Sequence, residues 1–297
     1  MKSFLRDKFF PVTTVLLVII ALWYALAAYL NAPFERDQAA RAGAEISTST
    51  LLANTMKQDR PVLPAPHQVA NEIWKSVFDV KPTSKRSLVY HGWITLSSTL
   101  LGFLMGSALG VLLAVGIVHS RTLDKSLMPW IITSQTVPIL AIAPMIIVVL
   151  NAVGISGLFP KAFISTYLSF FPVAVGMVKG LRSPDVMHLD LMQTYNASRS
   201  QVFWKLRWPA SMPFLFTSMQ IAVAISLVGA IVGELPTGAV AGLGARLLAG
   251  SYYGQTVQIW AALIVAALMA GVLVGLVGIG ARIVNRRMGA RPERAFS

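Results

Sequence analysis

Few residues in this chain are equipped for chemistry, and they are not gathered in one place. The four histidines, His67, His91, His119 and His188, are scattered over connecting segments, with no cluster of His, Asp or Glu suited to acid–base or metal work. There is no cysteine, hence no disulfide framework, no thiolate metal site and no cysteine nucleophile. No Gly-x-x-x-x-Gly-Lys-Ser/Thr phosphate loop occurs, so the chain cannot hydrolyse ATP itself. What remains is a set of polar groups inside apolar runs. Ser134, Gln135 and Thr136 stand just before Pro138, and Ser165, Thr166, Tyr167, Ser169 and Ser226 lie in later runs. Such hydroxyls and amides either bond within a helix bundle or line a path for a solute. The 134–136 set is the best path candidate, joined by Tyr167 and Ser169, because a nearby proline frees backbone groups. Glu234, at the end of another apolar run, is either a gate residue or a simple cap.

The elements that must position these groups follow from composition. Of the 297 residues, 55% are hydrophobic and only 12% charged, with a mean hydropathy of +0.66. A soluble domain carries about 25% charged residues. A soluble enzyme, a secreted disulfide scaffold and a disordered chain are thereby excluded, and an integral membrane protein is left. Six runs approach the ~20 residues needed to cross a bilayer: Pro11–Leu30, Trp93–Val118, Leu127–Leu150, Ala162–Val178, Pro213–Gly233 and Gln258–Ala281. Their interiors hold no Asp, Glu, Lys, Arg or His. They are continuously apolar rather than alternating, which predicts helices and not a barrel. The first run is too long for a signal-peptide core and is expected to be an uncleaved helix.

The net charge of +13 is mostly an orientation signal. With the N-terminus inside, the cytoplasmic segments collect Lys2, Arg6, Lys8, Arg121, Lys125, Lys179, Arg182, Arg199, Lys205, Arg207 and the Arg282–Arg294 tail. The short outer connections hold only Lys161 and Arg246. The positive-inside rule then puts both termini in the cytoplasm, and a nucleic-acid partner is not expected. Residues 1–30 are the tail and first helix, 31–92 an outer stretch, 93–281 the transmembrane core and 282–297 a basic tail. In the outer stretch Glu35–Arg60 shows no strong period, while Val69, Ile73 and Val77 mark a short amphipathic helix in the interface. Gly102, Gly106, Gly110 and Ala114 form a small-residue ridge suited to close helix packing or a subunit seam, and Gly271 and Gly275 a weaker one.

The inner loop 179–212 is too structured for a mere connector. Ser183-Pro184-Asp185 predicts a helix start with a serine N-cap, running to about Tyr195 with Met187, Leu191 and Tyr195 on one stripe. Asn196 suits the left-handed end of such a helix. Ser198-Arg199-Ser200-Gln201 is a capping box opening a second helix, which Pro209 and Pro213 are expected to break before the fifth span.

Asp190-Leu191-Met192, Asn196-Ala197-Ser198 and Leu206-Arg207-Trp208-Pro209 keep the spacing of the EAA loop of ABC importer permeases, with most identities changed. The chain resembles the nitrate/sulfonate/taurine/bicarbonate branch of that family in further segments. These are Leu63-Pro64-Ala65-Pro66, Ser120-Arg121-Thr122-Leu123-Asp124, Pro138 with Ala143-Pro144, Gly154-Ile155, Phe171-Pro172, and Gly233-Glu234 followed by Gly242-Leu243-Gly244. The resemblance implies an all-α, roughly six-span permease of a type I importer in the bacterial inner membrane. Its implied partners are cytosolic ATPase subunits, a periplasmic solute-binding protein and a second permease, a homodimer copy or a paralogue. ATP is then used by the partner, and this chain binds no cofactor. Asp190, Leu191, Met192, Asn196, Ala197, Leu206 and Pro209 are implied to form the ATPase-coupling surface. The implied solute is nitrate, a sulfonate, bicarbonate or a pyrimidine-type vitamin precursor. A secondary transporter driven by an ion gradient is the alternative; it wants ionisable side chains within the spans, where this sequence has none.

Overall fold

The computed structural model describes residues 10–43, 45–235 and 241–288. These are helices and connecting turns, with no strand among the described residues. The basic residues Lys2, Arg6, Lys8, Arg291 and Arg294 lie outside the described residues. The chain divides into two units, residues 1–91 with 246–265, and residues 92–245 with 266–297.

In the first unit α1 (Phe10–Ala42) carries the first apolar run and then continues well past its expected end at Leu30. The reason is polar. Asn31, Glu35 and Ala39 recur at four-residue spacing and are buried. The Asn31 amide donates to Leu63 O at 2.9 Å and accepts from the N–H of Val62 at 2.8 Å, while Gln58 donates to the Glu35 carboxylate at 2.7 Å. Pro33 deletes one intrahelical bond without ending the helix. A second helix, α2 (Thr48–Thr55), stands where no period was evident. The predicted amphipathic helix is α3 (Pro66–Trp74), prolonged by a π turn over Lys75–Asp79; Val69 is buried, and Trp74 and Phe78 stack in the open.

The second unit is built on α7 (Leu158–Leu181), wedged between α4 (Leu88–His119) and α9 (Arg199–Gly233). A Cβ on Gly102 would meet Ser165, one on Gly106 would meet Ser169, and one on Gly110 would meet Phe170 and Val173. Partner numbers rise together, so α4 and α7 are parallel. Against α9 they run in opposite order, from Gly229 facing Ser165 to Gly176 facing Ser218 and Gly180 facing Ser211, so α7 and α9 are antiparallel. Hydroxyls stitch the three helices: Thr166 and Ser169 of α7 donate to Gly102 O of α4 at 3.3 Å, and Ser226 of α9 donates to Thr99 O of α4 at 2.9 Å. Between hydrocarbon-facing helices, such close approach and cross-helix bonding replace the missing hydrophobic drive. The last span, α11 (Thr256–Arg287), brings Leu273 into a core with Phe103, Val173, Ala222 and Val223.

The expected third span, Leu127–Leu150, is corrected to two helices, α5 (Arg121–Ser134) and α6 (Ile139–Ala152), meeting at 101°. Pro138 supplies no N–H to continue α5, and Ser134 and Thr136 hydroxyls turn back onto the carbonyls of Ile131 and Thr133. The pair still makes one crossing. Because α4 and α7 are parallel, the end of α4 and the start of α7 lie at opposite ends of the bundle, and only residues 120–157 join them. Ile131 of α5 packs with Met177, Leu181 and Phe203, whereas Ala143 of α6 packs with Ile164 and Val232 towards the other end. Two 14-residue helices at 101° reach about 27 Å at ~1.5 Å per residue, close to the ~30 Å hydrocarbon core. Leu112, Leu268 and Val272 stay exposed on their spans, as lipid-facing residues do.

The two glycine rows make opposite predictions. Gly110→Ala pushes a methyl into Phe170 O and Ala174 N at 2.7 and 2.9 Å, backbone atoms that cannot give way. It should cost about 1–3 kcal/mol. Gly271 faces open space, so Gly271→Ala should cost nothing and gain up to about 1 kcal/mol of helix propensity. Thermal unfolding of the purified chain in micelles checks both.

Candidate functional site

The 179–212 loop forms a handle at one end of the second unit. The short helix α8 (Val186–Thr194) starts two residues later than expected. Its N-cap is Asp185, which accepts the N–H of Met187 at 3.3 Å, while Ser183 instead closes α7 by donating to Gly180 O. Asn196 has φ +50° and is the one non-glycine with positive φ among the described residues. The N–H of Ala197 donates to Met192 O at 2.9 Å and that of Asn196 to Gln193 O at 2.8 Å, the paired bonds of a Schellman end. Ser198 and Gln201 then form the capping box, at 3.3 and 2.8 Å.

The helix it opens does not stop at the prolines. A π turn over Phe203–Arg207, in which Trp208 N–H reaches back to Phe203 O, carries the chain into the fifth span without a break. Pro209 falls in the first turn of Trp208–Gly233, where its missing donor is tolerated, and Pro213 is accommodated inside.

No residue of α8 is buried. Met187, Leu191 and Tyr195 are 76%, 53% and 75% exposed, while Met192 and Ala197 are half-buried. Asp190 and Asn196 are exposed, and Leu206 and Pro209 are partly covered. Both sides of the handle are tied to the core. Arg182 pairs with Asp124 of α5 at 2.8 Å, and Arg207 donates to Leu181 O at 3.2 Å. His119, Phe203, Trp204 and Trp208 stack alongside, with centroids 5.0–5.9 Å apart.

Halfway along α7, the Tyr167 hydroxyl donates to Ser134 O and so pins the α5–α6 knee. Gln135 and Thr136 are exposed at its apex. Ser134, Gln135, Thr136 and Tyr167 are thus brought together. Ser169 is not among them: it is fully buried in the α4–α7 seam.

At the end away from α8, Glu234 follows the last residue of α9 and is completely buried. Its carboxylate accepts from Thr95 Oγ1 of α4 at 2.8 and 3.0 Å and from Gly244 N–H at 2.9 Å, and lies 3.8 Å from Lys161 Nζ of α7. Thr95 Oγ1 in turn accepts the N–H of Leu243, and Lys161 donates to Ala241 O. Gly242 has φ +130°, and a Cβ there would lie 2.1 Å from the Glu234 carboxyl carbon. Sequence reasoning named Glu234 and the Gly242-Leu243-Gly244 run but missed Thr95 and Lys161, which lie 139 and 73 positions away and carry no local signal. Burial pushes the Glu234 carboxyl up to about 7, against the downward pull of the Gly244 N–H, Lys161 and Thr95.

That shift has a defined sign. Between about 4.5 and about 7 the folded chain holds a proton that the unfolded chain has released, so stability falls as pH rises through this window. Thermal unfolding in micelles should show the fall, and Glu234→Gln should flatten it.

The chain matches a family model described as "Binding-protein-dependent transport system inner membrane component" over residues 106–290. It is 30% identical to a probable ABC transporter permease protein of Haemophilus influenzae, over 69% of this chain and 78% of that one. It is 30% identical to the riboflavin transport system permease protein of Chloroflexus aurantiacus, over 76% and 80%. It is 26% identical to a putative aliphatic sulfonates transport permease protein of Bacillus subtilis, over 60% and 63%. Among solved structures, an inward-facing MetNI methionine ABC transporter shares the fold with a TM-score of 0.59 at 17% identity, over 69% of this chain and 99% of that chain. With its helical core and multiple apolar spans, the chain belongs to the inner-membrane permease components of binding-protein-dependent ABC transport systems.

Proposed function

We propose that this permease imports a small solute delivered by a periplasmic binding protein and is driven by separate ATPase subunits that grip α8. The solute class is nitrate, a sulfonate, bicarbonate or a pyrimidine-type vitamin precursor. Relatives named for nitrate, aliphatic sulfonate and formylaminopyrimidine transport support three of these classes, and one named for riboflavin adds a larger vitamin. The observation that carries the coupling reading is the helix itself. Val186, Met187 and Leu191 of α8 are exposed and find no cover among the described residues, and a groove on the ATPase would bury them. Asp190, Leu191, Met192, Asn196 and Ala197 form the docking surface, with Leu206 and Pro209 in the helix that returns to the membrane.

In this reading the α8 end faces the cytoplasm, both termini are cytoplasmic, and two permease copies, a homodimer, face each other across the path. ATP-driven closure of the ATPase pair pulls the two α8 handles together. Asp124–Arg182 and Arg207–Leu181 transmit that movement into α5, α7 and α9, a rigid-body switch between packed arrangements. The α5–α6 knee lines the path: its apex exposes the polar residues Gln135 and Thr136, which a watery passage favours over lipid.

Replacing Asn196 by valine forbids its left-handed backbone, and Met192→Asp puts a charge on the docking face. Either change should abolish uptake and ATPase co-purification while leaving the chain inserted in the membrane. Normal uptake with normal ATPase co-purification in both variants overturns the assignment.

A further inference from the structure

The amphipathic stripe of α3 is turned towards its own chain. Val69 is 1% exposed, Ser76 is buried, and Ile73 and Val77 are half-buried. The opposite face carries the larger apolar groups. Trp74 and Phe78 are 61% and 66% exposed, stack with centroids 4.4 Å apart, and find no cover among the described residues.

The bilayer is within reach at both ends of this helix. At its start, Trp23 of α1 donates its indole N–H to Pro64 O at 3.0 Å, and Tyr24 stacks on His67 at 5.9 Å. Trp23 and Tyr24 belong to the first apolar run, about 10 Å before its end at Leu30 at ~1.5 Å per residue. Past the π turn, Ser87 donates to Ser76 O at 3.2 Å and the His91 ring donates to Lys85 O at 2.9 Å, which folds residues 80–87 back against it on the way into α4. A helix tied to one span inside its edge and to the start of the next lies level with the headgroups. At that height an exposed tryptophan and phenylalanine favour the interface over water.

Charge selects among headgroups. Lys75, Lys81, Lys85 and Arg86 are all exposed, and none pairs with a carboxylate among the described residues. Asp79 is the one acid in residues 75–86. Glu72 is engaged elsewhere: it accepts from Ser76 Oγ at 3.2 Å and attracts Arg246 of α10 (Leu243–Tyr252), which Arg86 repels. Each cation held at an anionic leaflet favours contact by about fivefold.

We propose that Trp74 and Phe78, ringed by Lys75, Lys81, Lys85 and Arg86, form a docking face for anionic phospholipid headgroups of the outer leaflet. The choice of leaflet rests on the orientation given above; the docking does not depend on what is transported. The chain has no native cysteine, so F78C carries a nitroxide on this face, and Q38C carries one on the exposed extension of α1, clear of the membrane. The whole transporter is reconstituted in phosphatidylcholine bilayers containing phosphatidylglycerol. The F78C label should collide with oxygen more than with a water-soluble nickel chelate, at a depth of ~5–10 Å, and the Q38C label should do the reverse. Omitting phosphatidylglycerol, or replacing Lys81, Lys85 and Arg86 by Gln, should raise nickel collisions at F78C by about fivefold or more and leave Q38C unchanged. An F78C label as open to nickel as Q38C in the anionic bilayer overturns the docking and leaves the face to an acidic protein partner. A collision rate that phosphatidylglycerol does not move overturns the assignment to anionic lipid. Neither result touches the importer reading, which stands or falls on uptake and ATPase co-purification.

Discussion

The second unit depends on how closely two backbones approach α7. In water, helices associate because burying apolar side chains releases solvent; in a bilayer the surroundings are already apolar, and contact must be won by shape. Here Gly102, Gly106 and Gly110 of α4, and Gly229 of α9 with Gly176 and Gly180 of α7, remove the side chains that would hold helices apart. Serine and threonine hydroxyls then reach main-chain carbonyls across the gap. The direction of each neighbouring span relative to α7 follows from these contacts, as does the need for the α5–α6 pair to cross.

What was legible in the sequence was whatever depends on near neighbours. Five of the six apolar runs are single helices, and Asn196 and the Ser198–Gln201 capping box do what their types suggest, because a cap or a left-handed turn is decided within four residues. Proline was read too simply. Pro138 does break its run, whereas Pro209 and Pro213 do not, since a π turn and a first-turn position absorb them. The Ser183 cap moved to Asp185 because Ser183 bonds backwards to Gly180. The extension of α1 to Ala42 escaped notice because its stabilising bonds go to residues 55–63, far along the chain.

The candidate sites divide along the same line. The α8 handle is local in sequence and could be outlined from spacing alone. The knee could be suspected from a proline beside polar residues, but its link to Tyr167 spans 33 positions. The Glu234 cluster assembles four separate stretches, and a lone carboxyl at a span end gives no hint of which hydroxyl or amine it will meet.

The parallel alignment of α4 and α7 also bears on how the protein is made. The antiparallel α7–α9 pair is joined by the handle that carries α8 and can zip together as soon as both helices are in the bilayer. The glycine face of α4 is synthesised earlier, and its partner arrives only after residues 120–157 have made their bent return across the membrane. During that interval three glycines in a row offer a sticky stripe to any passing helix. The order of synthesis thus makes α4, the first of these three spans to be made, the one that waits longest for a partner.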